Sequence, residues 1–186
     1  MLRPKLPRVG LAHAILVSLS EQSGSGYELA RRFDRSIGFF WSATHQQIYR
    51  TLRTMEDHHW VTVTPVRQRG RPDKKVYTVS DAGRAELARW IAQPPAGSGP
   101  DAHVRDLAVK IRGADFGDVG TVRGHVDALR AERVARLDLY REMEKRQFPR
   151  PDALSGAALH QYLVLRGGIR AEENTIDWLD EVKAAL

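Results

Sequence analysis

The chain has 186 residues, of which 42% are hydrophobic and 28% are charged; it carries a formal net charge of +6 and contains no cysteine. This composition is typical of a globular protein, and no run approaches the roughly 18 apolar residues of a membrane-spanning helix. The lack of cysteine excludes disulfides, thiolate metal sites and cysteine nucleophiles.

The first half of the chain predicts three helices. Apolar residues recur at helical spacing over 9–20, and a second apolar stripe runs over 27–37 after a break at 24–26. The third helix begins at Thr44, which has the spacing of a capping box with Gln47.

A hairpin and a fourth helix follow. Two β-branched runs, 60–66 and 76–79, flank the segment 67–75, which holds five positive charges and one negative charge. Glycine and proline at its centre mark a turn, and Ser80 or Asp81 then caps a helix. The order helix, helix, helix, hairpin, helix is that of a winged helix-turn-helix.

The proline- and glycine-rich stretch 94–100 predicts a linker between a DNA-binding domain over 1–93 and a helical domain over 101–186. The basic excess is confined to the first part. Residues 1–98 carry 15 basic and 8 acidic side chains, whereas residues 99–186 carry 14 and 15. This asymmetry favours a polyanionic partner for the first domain.

The second half predicts a short helix that ends at Gly113 and two long amphipathic helices over 118–146 and 155–185. A proline turn between the long helices favours an antiparallel hairpin. Such a hairpin leaves apolar surface for a partner, and we expect homodimerisation; packing on the chain's own winged domain is the alternative. The pair Gly167-Gly168 predicts either a close helix crossing or a kink. The predicted dimer contacts are Val122, Val126, Leu129, Tyr162, Leu165, Ile169, Ile176 and Leu179.

The third helix and the hairpin together favour binding to duplex DNA. Polar side chains recur on one face of that helix, where arginine and glutamine match the edges of bases in a major groove. Basic residues on a hairpin suit phosphates, although either feature alone is commonly just a solvated surface. Arg69 to Pro72 is also similar to the core of a minor-groove AT-hook, which we interpret mainly as turn chemistry. The predicted DNA contacts are Tyr27, Thr44, His45, Gln46, Tyr49, Arg50, Arg53, Arg67, Arg69, Arg71, Lys74 and Lys75.

Four motifs carry a family resemblance: SGYEL from Ser25, QIY from Gln47, GRP from Gly70 and TVSDAG from Thr78. With these motifs, residues 9–92 resemble the PadR family of bacterial transcriptional regulators. More weakly, LRGGI from Leu165 and the later Trp-Leu pair resemble the C-terminal helical domain of longer PadR-like proteins related to the virulence activator AphA.

The resemblance implies a mainly α protein, with an N-terminal winged helix-turn-helix and a C-terminal antiparallel, coiled-coil-like dimerisation domain. It implies a dimer that binds an inverted repeat, usually as a repressor and sometimes as an activator, with Tyr49 and the basic wing near the DNA backbone. The chain has His59 where the family usually has glycine, so we expect a positive φ to be tolerated there at some cost.

The sequence provides little support for a nucleotide-binding, metal-binding or enzymatic site. The glycines at 24 and 26 begin a dinucleotide-binding pattern that Leu29 interrupts, and the neighbouring His58 and His59 lack metal-site spacing. We therefore predict no enzyme, cofactor or metal. No secretory signal is recognisable, and we expect a cytoplasmic protein.

Two further possibilities stay open in the sequence. Trp41 and the pair Phe39-Phe40 are candidates for lining the site of a small aromatic or hydrophobic effector, with simple packing as the alternative interpretation. The alternative function is a protein-interaction or scaffolding module whose basic wing binds an acidic partner.

Overall fold

The computed structural model describes residues 10–35, 43–67, 73–97 and 102–186. Predicted features over 36–42, at the wing tip 68–72 and over 98–101 lie outside the described residues, and so do residues 1–9. The elements in chain order are α1 (Leu11–Glu21), β1 (Gly24–Ser25), α2 (Gly26–Arg35), α3 (His45–Asp57), β2 (Val61–Val66), β3 (Lys74–Val79), α4 (Asp81–Ala92), α5 (Ala102–Arg112), α6 (Val119–Gln147) and α7 (Gly156–Ala185).

The predicted winged-helix order is confirmed, with helix α1 at its centre. From Ala12 to Leu19 every residue of α1 is buried, because the helix is apolar on nearly all sides and contacts other elements all round. On α4, Leu87, Trp90 and Ile91 are buried, whereas the alanines at 85 and 88 are exposed.

The hairpin belongs to a three-stranded antiparallel sheet in the order β1-β3-β2. The short strand β1 pairs with β3, with Ser25 opposite Val76, and β2 pairs with β3 from Val61 opposite Val79 to Val66 opposite Lys74. The sequence indicated only a chain break at β1. Its two backbone-paired residues are too few to carry a strand pattern.

The turn after α3 has the conformation expected at His59. The residue has φ of 58°, and its N–H donates to the carbonyl of Glu56 while that of Trp60 donates to Met55. This pattern closes the C-terminus of a helix and normally selects glycine. The hydroxyl of Ser80, which also caps α4, donates to the His59 carbonyl and fixes the turn against the start of α4.

The chain divides into two compact units, Met1–Val122 and Arg123–Leu186. This boundary lies later than the predicted linker, since α5 packs with the winged elements. Arg112 forms a bidentate ion pair with Glu21 of α1 at 2.7 and 2.8 Å, and the buried ammonium of Lys110 donates to the carbonyl of Trp90.

The second unit contains most of α6 and all of α7, which form the predicted antiparallel hairpin. Cross-helix ion pairs define the direction: Lys183 contacts Asp127 near one end, and Arg166 contacts Glu144 near the other. Helix α7 continues through the two glycines, and a Cβ at Gly168 would lie 3.3 Å from the ring of Tyr140. Gly168 therefore permits a close helix approach rather than a break.

Six of the eight predicted dimer contacts are buried within the single chain, and two are partly buried. A side chain that its own chain already covers offers a partner almost no surface, so these six serve as core residues, and a dimer contact through this domain needs other side chains. The buried six are Val122, Val126, Leu129, Ile169, Ile176 and Leu179, and the partly buried two are Tyr162 and Leu165. The exposed large apolar residues of this unit are Leu139, Leu163 and Val164.

No helix among the described residues is both long and apolar enough to span a membrane.

Candidate nucleic-acid interface

Helix α3 begins with the capping box that its sequence predicts. The amide of Gln47 donates to the Thr44 hydroxyl at 3.2 Å, and the amide of Thr44 donates to the Gln47 side chain at 2.9 Å. These bonds satisfy two amide donors and fix the position at which the helix starts. The side chains of the first turn are thereby held in a defined orientation.

Helix α3 has two distinct faces. Ile48, Leu52 and Met55 are fully buried and anchor the helix in the core. The predicted contact residues all lie on the exposed side: Thr44, His45, Gln46, Tyr49, Arg50 and Arg53. The core therefore presents this polar face to solvent, in the arrangement that reading a groove requires.

The start of α2 packs against this face. A Cβ placed on Gly26 would lie 2.4 Å from the ring of Tyr49, so the glycine is needed for the tyrosine to lie across it. The next residue, Tyr27, is 59% exposed, and the guanidinium of Arg31 lies 6.0 Å from its ring centroid. Tyr27 and Tyr49 thus belong to one continuous surface.

The base of the wing connects to the same segment. The ammonium of Lys74 on β3 lies 3.0 Å from the carboxylate of Glu28 on α2. Tyr77, also on β3, is buried, which raises its pKa; the charges of Glu56 and Arg53 on α3 act on it in opposite directions. Contacts therefore run from α3 through the start of α2 to the wing.

The remaining wing residues divide into two groups. Arg67 and Lys75 are exposed at the ends of the described wing strands. Arg69 and Arg71 lie outside the described residues, as do the effector candidates Phe39, Phe40 and Trp41. No ion pair among the described residues involves any of four exposed cations of this surface, which are Arg50, Arg53, Arg67 and Lys75.

Sequence reasoning missed two residues of this surface, Glu28 and Arg31. Ser25 and Glu28 have the same S/T-x-x-E/Q spacing as Thr44 and Gln47, so the capping role of Glu28 was visible in the sequence. Its second contact, with Lys74, was not, because 46 residues separate the two and only the fold brings them together.

The comparisons with known proteins agree with this architecture. The sequence model of the family described as "Transcriptional regulator PadR-like family" matches residues 15–89, and the one described as "Virulence activator alpha C-term" matches residues 105–186. Together they cover both predicted domains.

The relatives of this chain are named as regulators. The chain is similar to "Probable transcriptional regulator Rv1176c" of Mycobacterium tuberculosis, with 67% identity over 185 residues that cover 96% of this chain and 98% of that protein. It is 29% identical to "Negative transcriptional regulator PadR" of Bacillus subtilis over 95% of this chain and 97% of that protein. A solved structure of Bacillus subtilis PadR in complex with operator DNA is 27% identical, with a TM-score of 0.47 and coverage of 97% of this chain and 99% of that chain.

Proposed function

The chain belongs to the PadR-like family of transcriptional regulators, and from this premise we propose that it is a homodimeric repressor that binds an inverted-repeat operator. Each protomer would place α3 in a major groove and its wing along the neighbouring backbone. Two-fold symmetry matches an inverted repeat, with half-sites about 34 Å apart. Occupation of the operator would then block transcription sterically.

The observation that carries the proposal is the exposed face of α3. Arg50 and Arg53 lie on this face without an ion-pair partner among the described residues, and Gln46 lies near its N-terminal end. An arginine committed to a carboxylate gains little from a base edge, whereas one that is free can donate two hydrogen bonds to guanine. The capping box holds the helix start that this contact depends on.

For the dimer, we propose a contact through the exposed apolar residues of the helical hairpin. Val164 is 78% exposed and lines a groove of about 630 Å³ whose other apolar walls include Met143, Phe148 and Leu165. Leu139 and Leu163 are also more than half exposed. A second copy that covers these residues would remove apolar surface from water.

For regulation, we propose that a small aromatic or hydrophobic effector weakens operator binding by changing the spacing of the two winged domains of a dimer. The support is that specific binding to two half-sites requires a fixed distance between recognition helices. The measurement is operator affinity with and without a panel of aromatic acids; equal affinity with every compound would contradict this step.

The first experiment selects DNA from a random pool with the purified protein and sequences the bound molecules. We expect an inverted repeat. Failure to enrich any sequence, together with tight binding to an acidic polypeptide such as polyglutamate, would favour the protein-interaction alternative.

The second experiment measures affinity for the selected site and for random DNA in R50A and R53A. Each substitution should weaken specific binding by about ten- to a hundredfold and random binding much less, since a bidentate base contact contributes about 1–3 kcal/mol. The control is R170A, which removes the same charge from an exposed position of α7. Equal losses on both DNAs would show that α3 does not read bases.

A further inference from the structure

One carboxylate joins the recognition elements to the base of the wing. Oε2 of Glu28 accepts hydrogen bonds from the amide of Ser25 at 2.7 Å and from its hydroxyl at 2.9 Å. Oε1 accepts from the ammonium of Lys74 at 3.0 Å. One carboxylate oxygen thus accepts hydrogen bonds at the start of α2, while the other accepts one from a lysine on strand β3.

This contact lies where the two elements already meet. Ser25 on β1 pairs with Val76 on β3, two residues from Lys74, so the backbone ladder and the ion pair fix the same point. The Lys74 side chain is 33% exposed and that of Glu28 is 48% exposed. An ion pair this exposed contributes little to stability, so stability alone is a weak explanation for it.

The surroundings of Glu28 are strongly basic. It is the acidic residue in the lining of a concave region of about 400 Å³, in which Arg31, Arg32 and Lys74 supply three positive charges. Arg32 donates to the carbonyls of Ser18 and Gln22, which holds its side chain in place. Without the Glu28 charge, this concavity would be a purely cationic surface beside the wing.

We propose that Glu28 is a positioning residue that acts as an internal counter-ion for Lys74 and thereby reduces binding to DNA of random sequence. With Lys74 held at the wing base, Arg67 and Lys75 are the exposed cations that remain for phosphates among the described wing residues. Because phosphate contacts carry no sequence information, each cation withdrawn from them lowers binding to DNA of any sequence by about the same factor. This inference rests on the proposed DNA-binding function.

The test is E28Q, since glutamine retains an oxygen for the Ser25 amide but loses the charge that holds Lys74. We expect the slope of log affinity against log salt on random duplex DNA to steepen by about 0.9, the value for one added phosphate contact. At about 0.1 M salt, random-DNA affinity should rise about three- to tenfold, and the ratio of specific to random affinity should stay about the same, since a phosphate contact carries no sequence information.

The matched control is E142Q, which removes the same charge from α6, where Glu142 pairs with the exposed Lys145. A general increase in positive charge would affect both variants alike, whereas release of Lys74 affects only E28Q. A salt slope for E28Q equal to that of E142Q would overturn the inference.

A double-mutant cycle separates positioning from capping. If Glu28 acts through Lys74, the change caused by E28Q disappears when it is introduced into K74Q. Persistence of the full effect in K74Q would also overturn the inference. If instead the wild-type protein shows no salt-dependent DNA binding, the proposed function itself fails, which is a different outcome from either of these.

Discussion

The exposed cations of α3 and the wing differ in their pairing from the cations that connect the helices of the second unit. In Met1–Val122, Arg50, Arg53, Arg67 and Lys75 lie on an exposed surface and take part in no ion pair among the described residues. In Arg123–Leu186, six ion pairs connect the two helices of the hairpin. A cation that already contacts a carboxylate gains less from a phosphate, so pairing, rather than the number of arginines, distinguishes a surface available to DNA from one committed to the fold.

The hairpin pairs themselves are not equivalent, and the largest expected effect lies at Glu172. This carboxylate is buried and lies within 3.5 Å of both Arg133, which is also buried, and Arg136. E172Q should lower the free energy of unfolding by about 3 kcal/mol, because it removes a buried negative charge that contacts two guanidinium groups. Urea denaturation followed by circular dichroism measures this change.

The neighbouring Glu173 provides the control on the same helix. It pairs with Arg141 and Arg170, both substantially exposed. E173Q should change the free energy of unfolding by less than about 1 kcal/mol. Similar losses in the two variants would mean that burial does not separate the pairs, and the role assigned to Glu172 would be wrong.

The first unit also contains a cation that does not lie on its exposed surface. Lys110 is fully buried, with its ammonium 3.7 Å from the ring centroid of Trp90 and 3.9 Å from Asp106. Burial lowers the pKa of Lys110 from 10.5 to about 8, although the charge of Asp106 opposes the shift. This lysine lies in the core and is therefore not available to DNA.

The lowered pKa predicts a pH dependence with a definite sign. Between about pH 8 and 10.5 the unfolded chain retains the Lys110 proton and the folded chain does not, so stability rises with pH across this window. Relative to K110M, the wild type should gain on the order of 2 kcal/mol from pH 8 to 10.5, measured by urea denaturation at several pH values.

K145M provides the contrast, since Glu142 raises the pKa of Lys145 and reverses the sign of its contribution. A wild-type stability that runs parallel to that of K110M across the window would show that the Lys110 ammonium is not destabilised by burial.

The sequence supported the order of the elements better than the boundary between the units. The capping box at Thr44 and the basic hairpin are local, and each followed from residues a few positions apart, whereas the positive φ at His59 was expected only from the family resemblance. The placement of α5 was missed because its contacts with α1 and α4 join residues far apart in the chain. Proline and glycine over 94–100 indicate where a helix cannot run, but they do not show which side of the segment the next helix packs against.

The same limit applies to the site residues. Exposure of the α3 face followed from helical spacing, because a buried stripe leaves the opposite face to solvent. The predicted dimer contacts used the same reasoning on two long helices, yet most of these residues pack inside the chain. An apolar stripe shows that a face is covered without identifying what covers it.

A smaller effect tests the charge comparison directly with two lysines. Lys75 on the wing is exposed, whereas Lys145 on the hairpin is also exposed but lies 2.7 Å from Glu142. K75Q should reduce the salt slope of DNA binding by about 0.9 and K145Q should leave it unchanged, although both remove one positive charge. An unchanged slope in K75Q would remove Lys75 from the DNA interface, and equal reductions would show that net charge alone governs binding.

The two units place different residue types in the same left-handed backbone conformation, and this difference predicts the smallest effect. His59 after α3 and Gly156 at the start of α7 have nearly the same φ, 58° and 57°. A side chain at this φ costs about 1 kcal/mol, and a Cβ at Gly156 would meet no atom within 4 Å, so only the backbone conformation is at stake there. H59G should therefore raise the free energy of unfolding by about 0.5–1 kcal/mol and G156A should lower it by a similar amount.

H59A is the control that removes the imidazole but keeps a Cβ, and it should not raise the free energy of unfolding. A rise in H59A equal to that in H59G would show that the effect comes from the lost ring rather than from φ. Because this turn leads directly from α3 into β2, DNA affinity measured on the same variants shows whether the histidine is needed for wing orientation or is simply tolerated there.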